Sequence, residues 1–200
     1  MRENRVRVEH VMRRTPLAVA ALAALTALAA VPRDARAFER QHHLGLGPGL
    51  GLLKVDDKST VSLGAGLQAH YAYGITDQFN LMAEASSVQV ALNQDDDPGS
   101  PKTRPARIDS LGVGVAYVLD ILQWVPYFGA LGAGYGMSGG NLDSGYKPGG
   151  GAQLALGVDY QIDRSFALGV AIRQHFILSD IKTYPTYTTG FLRVEYIWGW

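Results

Sequence analysis

The chain contains no cysteine among its 200 residues, so neither a disulfide framework nor thiol chemistry is open to it. It has no excess of either charge: 18 Lys and Arg offset 18 Asp and Glu. That balance hides an asymmetry. Seven of the basic and three of the acidic residues precede residue 38, which leaves 11 against 15 beyond it, a net charge of −4. No basic stripe remains there, which argues against nucleic acid as a partner. Residues 38–200 also lack any apolar run near the ~20 residues a spanning helix needs. Only a closed β-barrel could then carry this chain across a bilayer, because hydrocarbon satisfies no unpaired backbone group.

What is present begins with a leader. Arg2, Arg5, Arg7, Arg13 and Arg14 form a basic segment, and an apolar run from Pro16 to Val31 follows. Ala35-Arg36-Ala37 then offers a small-x-small cleavage site before Phe38. This layout predicts a secretory signal peptide over 1–37. The 16-residue run falls short of a membrane anchor. Arg13-Arg14 hints at twin-arginine export, but that route carries folded cargo, and an empty barrel cannot fold in cytoplasm. Sec-dependent export is expected, with residues 38–200 forming one domain.

Residues 38–200 alternate with a period of two. From Val61 to Tyr73 odd positions are apolar and even ones small or polar, and the register recurs in 111–117, 154–160 and 166–173. A soluble sandwich hides its large apolar side chains and shows its polar ones. Here the second face is glycine, alanine and a few charges, which suits the crowded interior of a narrow barrel. The pattern predicts an eight-stranded antiparallel up-and-down transmembrane β-barrel. Its strands fall at about 42–54, 60–74, 79–90, 107–119, 125–137, 151–161, 166–178 and 187–200.

The strands end alike. Tyr73, Tyr117, Tyr160 and Tyr196 recur 44, 43 and 36 residues apart, a spacing that suits β-hairpin units. Short turns carrying Asp77, Asp120 and Asp163 follow the first three, and Phe79, Tyr127 and Phe166 open the next strands. With Trp198, these aromatics predict a girdle at the lipid–water boundary. The other connections (91–106, 138–150 and 179–186) are longer and polar, whereas 55–59 is brief. Long outer loops, short periplasmic turns and an even strand count place both ends of the barrel in the periplasm. Pro48 interrupts the first strand, and a bulge or defect is expected where that strand meets the last.

Alternation, turns and an aromatic final strand make residues 38–200 resemble the small outer-membrane β-barrel family, typified by the OmpA membrane domain and OmpX. The resemblance implies the outer membrane of a Gram-negative cell, a monomer in contact with outer-membrane lipid and lipopolysaccharide, and insertion by the barrel-insertion machinery. It also implies an assembly signal in the last strand, with Arg193 in its polar place and Trp198 and Trp200 as its aromatics. Glu195 stands where glycine is usual. No peptidoglycan-binding domain is expected after the barrel.

By parity, Gln68, His70, Glu84, Gln153, Asp159, Arg173, His175, Arg193 and Glu195 point into the lumen. Glu84 and Arg173 lie at similar heights on opposed strands and are expected to pair across it as a structural ion pair. Gly112, Gly114, Gly132, Gly134, Gly136, Gly157 and Gly169 would leave room beside them. His175, Ser179 and Asp180 are the nearest approach to a catalytic set. They match no lipid A deacylase motif, so no enzyme is expected. Asp95-Asp96-Asp97 lacks the alternating ligands of a calcium loop, and no metal or cofactor is expected. Residues 134–139 match G-x-G-x-x-G but lead into a loop, not a helix. Adjacent His42 and His43 point to opposite faces.

Function is therefore expected in the outer loops, as a structural or surface-interaction role. The alternative is a narrow channel for small or apolar solutes, and a lipid-modifying enzyme is a weaker third. In the resembled family the terminal aromatic is read before the barrel closes, so deleting Trp200 should lower the amount inserted in cells. The unfolding midpoint of what does fold should barely change, which comparing outer-membrane yield with a urea titration in detergent would check.

Overall fold

A computed structural model describes residues 38–55, 61–91 and 103–199. The expected leader, the Asp95–Asp97 run and Trp200 lie outside them. Eight strands form one closed antiparallel barrel in chain order. They are β1 (His42–Lys54), β2 (Val61–Gly74), β3 (Phe79–Val90), β4 (Arg107–Val118), β5 (Trp124–Ser138), β6 (Tyr146–Gln161), β7 (Phe166–Phe176) and β8 (Thr186–Trp198). Among the described residues no helix is long and apolar enough to cross a membrane. The strands do the spanning.

β6 starts earlier than the alternation suggests. Tyr146-Lys147-Pro148-Gly149-Gly150 reads as turn chemistry, yet it pairs with β5 from Ser138 to Gly134. The ladder to β7 begins only at Ala152. Pro148 therefore lies on a one-sided edge, where its missing N–H is tolerated. β7 ends earlier, at Phe176, and Leu178–Asp180 forms a 3₁₀ turn.

The β1–β8 seam closes the barrel. Its register runs from His42↔Trp198 to Leu46↔Val194 and resumes at Gly49↔Phe191 with the same offset. The expected defect is thus a two-residue interruption at Gly47 and Pro48 without a bulge. Proline gives β8 no donor, and a Cβ at Gly47 would collide with the carbonyl of Leu192. On its other side β1 pairs with β2 without a break, Pro48↔Leu67 included.

Burial alternates as a barrel in lipid requires. Leu46, Leu67, Leu111, Leu156 and Leu192 are all more than 60% exposed on the outer wall. At the short-turn end the aromatics meet in cross-strand pairs: Phe79 with Tyr117 (5.3 Å), Trp124 with Tyr160 (4.9 Å) and Phe166 with Tyr196 (5.3 Å). His42 extends the ring by stacking on Trp198 at 5.2 Å and meeting Tyr73 at 5.0 Å. Tyr127 is not among them. It is buried in the lumen, and Trp124 and Phe128 face out in its place. Both faces of β5 are apolar or small, so alternation alone could not set its parity.

The same parity turns Gly132, Gly134 and Gly136 away from the lumen. Leu131, Tyr135 and Met137 fill it instead.

Two of the short turns share one device. Thr76 Oγ1 accepts from the Gln78 and Phe79 amides, and Asp163 Oδ1 accepts from those of Ser165 and Phe166. Both sit three residues after the strand-end tyrosine, so Thr76, not Asp77, organises the first turn. The Ile121–Trp124 turn is tighter and places Leu122 at φ 59°, with its side chain 87% exposed. A left-handed conformation costs a leucine ~1–2 kcal/mol, so Leu122→Gly should raise stability by about 0.5–1 kcal/mol after glycine's own entropy cost. Urea unfolding in detergent, followed by tryptophan fluorescence, would check it.

Candidate functional site

All nine polar residues assigned to the lumen are buried there, and eight of them gather into three groups. At mid-height, Arg173 Nε donates to both Glu84 oxygens (2.9 and 3.2 Å), and Gln68 Nε2 donates to Glu84 at 3.0 Å. Arg173 also donates from Nη2 to the Tyr127 hydroxyl at 3.0 Å. Arg173 is 0% exposed.

Towards the turns, Arg193 grips Asp159 through Nε (2.8 Å) and Nη2. Glu195 lies between two histidines, with His70 Nε2 at 2.6 Å and His43 Nδ1 at 3.3 Å. Towards the loops, His175 lies 2.9 Å from Thr189 Oγ1 and 3.3 Å from the Tyr135 hydroxyl. Gln153 is buried beside Gly112 and joins none of these bonds.

Sequence reasoning missed the residue that links two of these groups. The Tyr127 ring lies 4.5 Å from the Arg193 guanidinium and 5.6 Å from that of Arg173. Cation–π attraction in a desolvated site adds to the hydrogen bond. Its signal was available in the paired strand: Gly157 stands opposite Tyr127, and a Cβ there would collide with the phenol ring. His43 was also left out of the lumen set, although its odd neighbours Gly45 and Gly47 share its face.

The lumen glycines do not leave room. A Cβ at Gly45 would meet the His70 ring, one at Gly112 the Gln153 amide and one at Gly169 the Asp159 carboxylate. Each is the seat of a larger side chain, from the adjacent strand at Gly45 and Gly169 and from two strands away at Gly112. The loop-side half of the lumen is filled by apolar residues, among them Val88, Ile108, Met137, Tyr187 and Phe191. A cavity at the turn side of the lumen measures about 30 Å³.

Above the apolar plug the outer loops are joined. Arg104 donates its amide to Asn141 Oδ1 (2.8 Å) and accepts from the Asn141 amide (3.1 Å). Tyr184 donates to the Thr103 carbonyl at 2.5 Å. Asp180 pairs with Lys147 and accepts from Thr183 Oγ1 at 2.7 Å. Burial alone would raise the Asp180 carboxyl, but the hydrogen bonds from Lys147 and Thr183 outweigh it and hold the group below the usual carboxylate range. Burial, and then the Asp180 charge, push the Tyr184 phenol up to about 12.

Ser179 Oγ accepts from the Gly150 amide at 3.1 Å, while His175 points into the lumen. The His175, Ser179 and Asp180 side chains are therefore engaged with three different sets of partners. Among the described residues no three His, Asp or Glu side chains converge on a metal position.

A family model described as outer membrane protein beta-barrel domain matches residues 17–194. Three solved structures share the fold. Ail, the attachment invasion locus protein of Yersinia pestis, aligns at 12% identity and TM-score 0.52 over 80% of this chain and all of its own. The N-terminal barrel domain of Pseudomonas aeruginosa OprF gives 13% and 0.56 over 80% and 98%. Neisserial surface protein A gives 14% and 0.57 over 80% and 97%. No curated protein sequence matches the chain.

The Glu84–Arg173 pair gives a direct test of the lumen's energetics. Removing one partner leaves a buried charge uncompensated, so Glu84→Ala should cost about 3–5 kcal/mol. Replacing both residues by apolar ones of similar volume, as Glu84→Leu with Arg173→Met, should recover most of that loss. Urea midpoints of the three proteins in one detergent would check the difference.

Proposed function

Because the chain belongs to the outer membrane protein β-barrel domain family, we propose that it is a closed barrel of the outer membrane whose role, structural or in surface interaction, is carried by its outer loops. The observation behind this reading is the blocked lumen. An apolar plug and a buried Glu84–Arg173 belt cross the lumen, and the turn-side cavity holds no more than about 30 Å³. Eight strands enclose space only for side chains. The described parts of the loops, by contrast, are tied together by Asn141, Tyr184 and the Lys147–Asp180 pair. They present Tyr146, Leu178 and Ile181 as exposed apolar groups.

The channel reading rested on room beside the lumen glycines. That support goes with the finding that three of them face outward and others seat large side chains. On this reading the protein is a monomer in contact with lipid and lipopolysaccharide. It reaches the membrane by Sec-dependent export and insertion by the barrel machinery, and it carries no catalytic site.

Extracted in detergent, the unheated protein should migrate differently on a gel from the boiled form, as a hydrogen-bonded barrel resists the detergent. In planar bilayers it should show no steady conductance. A stable open channel would overturn the proposal. Replacing residues 139–145 with a short Gly-Ser linker should keep the gel shift and abolish any surface binding that the intact cells show.

A further inference from the structure

The chain does not enter β1 directly. Residues 38–41 make a turn closed by the Gln41 amide on the Phe38 carbonyl (3.2 Å), with Arg40 held at φ 67°. That turn is tied to the end of β2: the Arg40 amide donates to the Gly74 carbonyl at 2.8 Å, and the Gly74 amide to the Gln41 carbonyl at 2.9 Å. A Cβ at Gly74 would collide with the Phe38 carbonyl, so only glycine admits this approach. The result is that Phe38, the first residue described, is 1% exposed. Its ring stacks near His43 (6.0 Å, 27°) and packs among the turn-side lumen residues, including Ala72, Met82 and Val118.

Behind Phe38 lies the cavity of about 30 Å³, lined by His43, Asn80, Asp159, Arg193 and Glu195. Such a volume admits about two waters. Arg193 Nη1, His43 Nε2 and Asn80 Oδ1 are buried there without a protein partner. An apolar ring thus stands between a polar chamber and the periplasmic end of the barrel.

We propose that residues 38–41 are a stopper, seated on Gly74, that shuts the periplasmic mouth of the lumen and separates the Arg193–Glu195 chamber from bulk water. The positive φ of Arg40 and the glycine at 74 are the geometric requirements of that seat. That the stopper is also the first segment of the exported chain rests on the leader reading of residues 1–37.

The absence of cysteine supplies the test. Ala116 lines the chamber and is buried, so Ala116→Cys places a single thiol behind the stopper. The protein is expressed from its full sequence, purified from outer membranes and treated with a charged, membrane-impermeant thiol reagent. Phe38→Ala, and separately Gly74→Val, should each raise the labelling rate roughly tenfold or more, as expected when a buried thiol gains access to water. Phe38→Leu should leave it slow. The heat-dependent gel shift restricts the comparison to folded barrels. Equal rates in the parent and both opened variants, or fast labelling of the parent, would overturn the proposal. The intact mass reports the first residue separately, so a cleavage point other than Ala37–Phe38 would sink the leader reading alone.

Discussion

Closure of the backbone ladder is the constraint to which the rest of this molecule answers. In hydrocarbon each unpaired amide or carbonyl costs several kcal/mol, so β1 and β8 must meet. Once they do, every strand has two fixed faces and only one of them is enclosed. The large aliphatic side chains go outward, where a soluble protein would have to hide them. The enclosed face receives glycine, alanine, histidine and charge towards the turns and at mid-height, and an apolar plug towards the loops. Gly47 and Pro48 are the one place where the described seam leaves the rule unmet, and the unbroken β1–β2 ladder holds the strand there.

The interior is consequently packed by a logic unlike that of an oily core. Its charges are paired at short range: two arginines hold Glu84 and Asp159, and two histidines attend Glu195. Buried ion pairs of this kind add little net stability over apolar packing, but breaking one is costly. They fix which strands face one another across the lumen. Tyr127, between Arg173 and Arg193, ties the mid-height pair to the turn-side group.

Much of this was legible in the sequence because lipid makes the alternation explicit. In residues 61–73, 111–117 and 166–173 one face is mostly large aliphatic or aromatic and the other Gly, Ala or polar, so parity and lumen residues could be read directly. The closed eight-stranded architecture followed from them. β5 was opaque for a physical reason. Trp124-Val125-Pro126-Tyr127-Phe128 is apolar on both faces, and a shift by one residue exchanges lumen for lipid. That one ambiguity misplaced Tyr127 and three glycines together. The start of β6 was hidden because Pro148 and Gly149-Gly150 carry turn chemistry into a ladder paired on one side only. The Phe38 turn left no periodic mark at all, since its seat depends on a contact with Gly74 far along the chain.

Gly157 and Tyr127 also bear on how such a barrel can change over generations. The glycine has no latitude while the phenol lies across it, and the phenol has no seat without the glycine. Neither can drift alone without either a clash or a hole beside two buried guanidiniums. Sterically the pair is constrained to change as a unit, and replacing the tyrosine by a small residue would free the glycine to be replaced. The same holds for Gly45 with His70 and Gly169 with Asp159. Variation inside a narrow barrel then proceeds by matched exchanges across neighbouring strands, while the lipid-facing wall is free to vary one residue at a time.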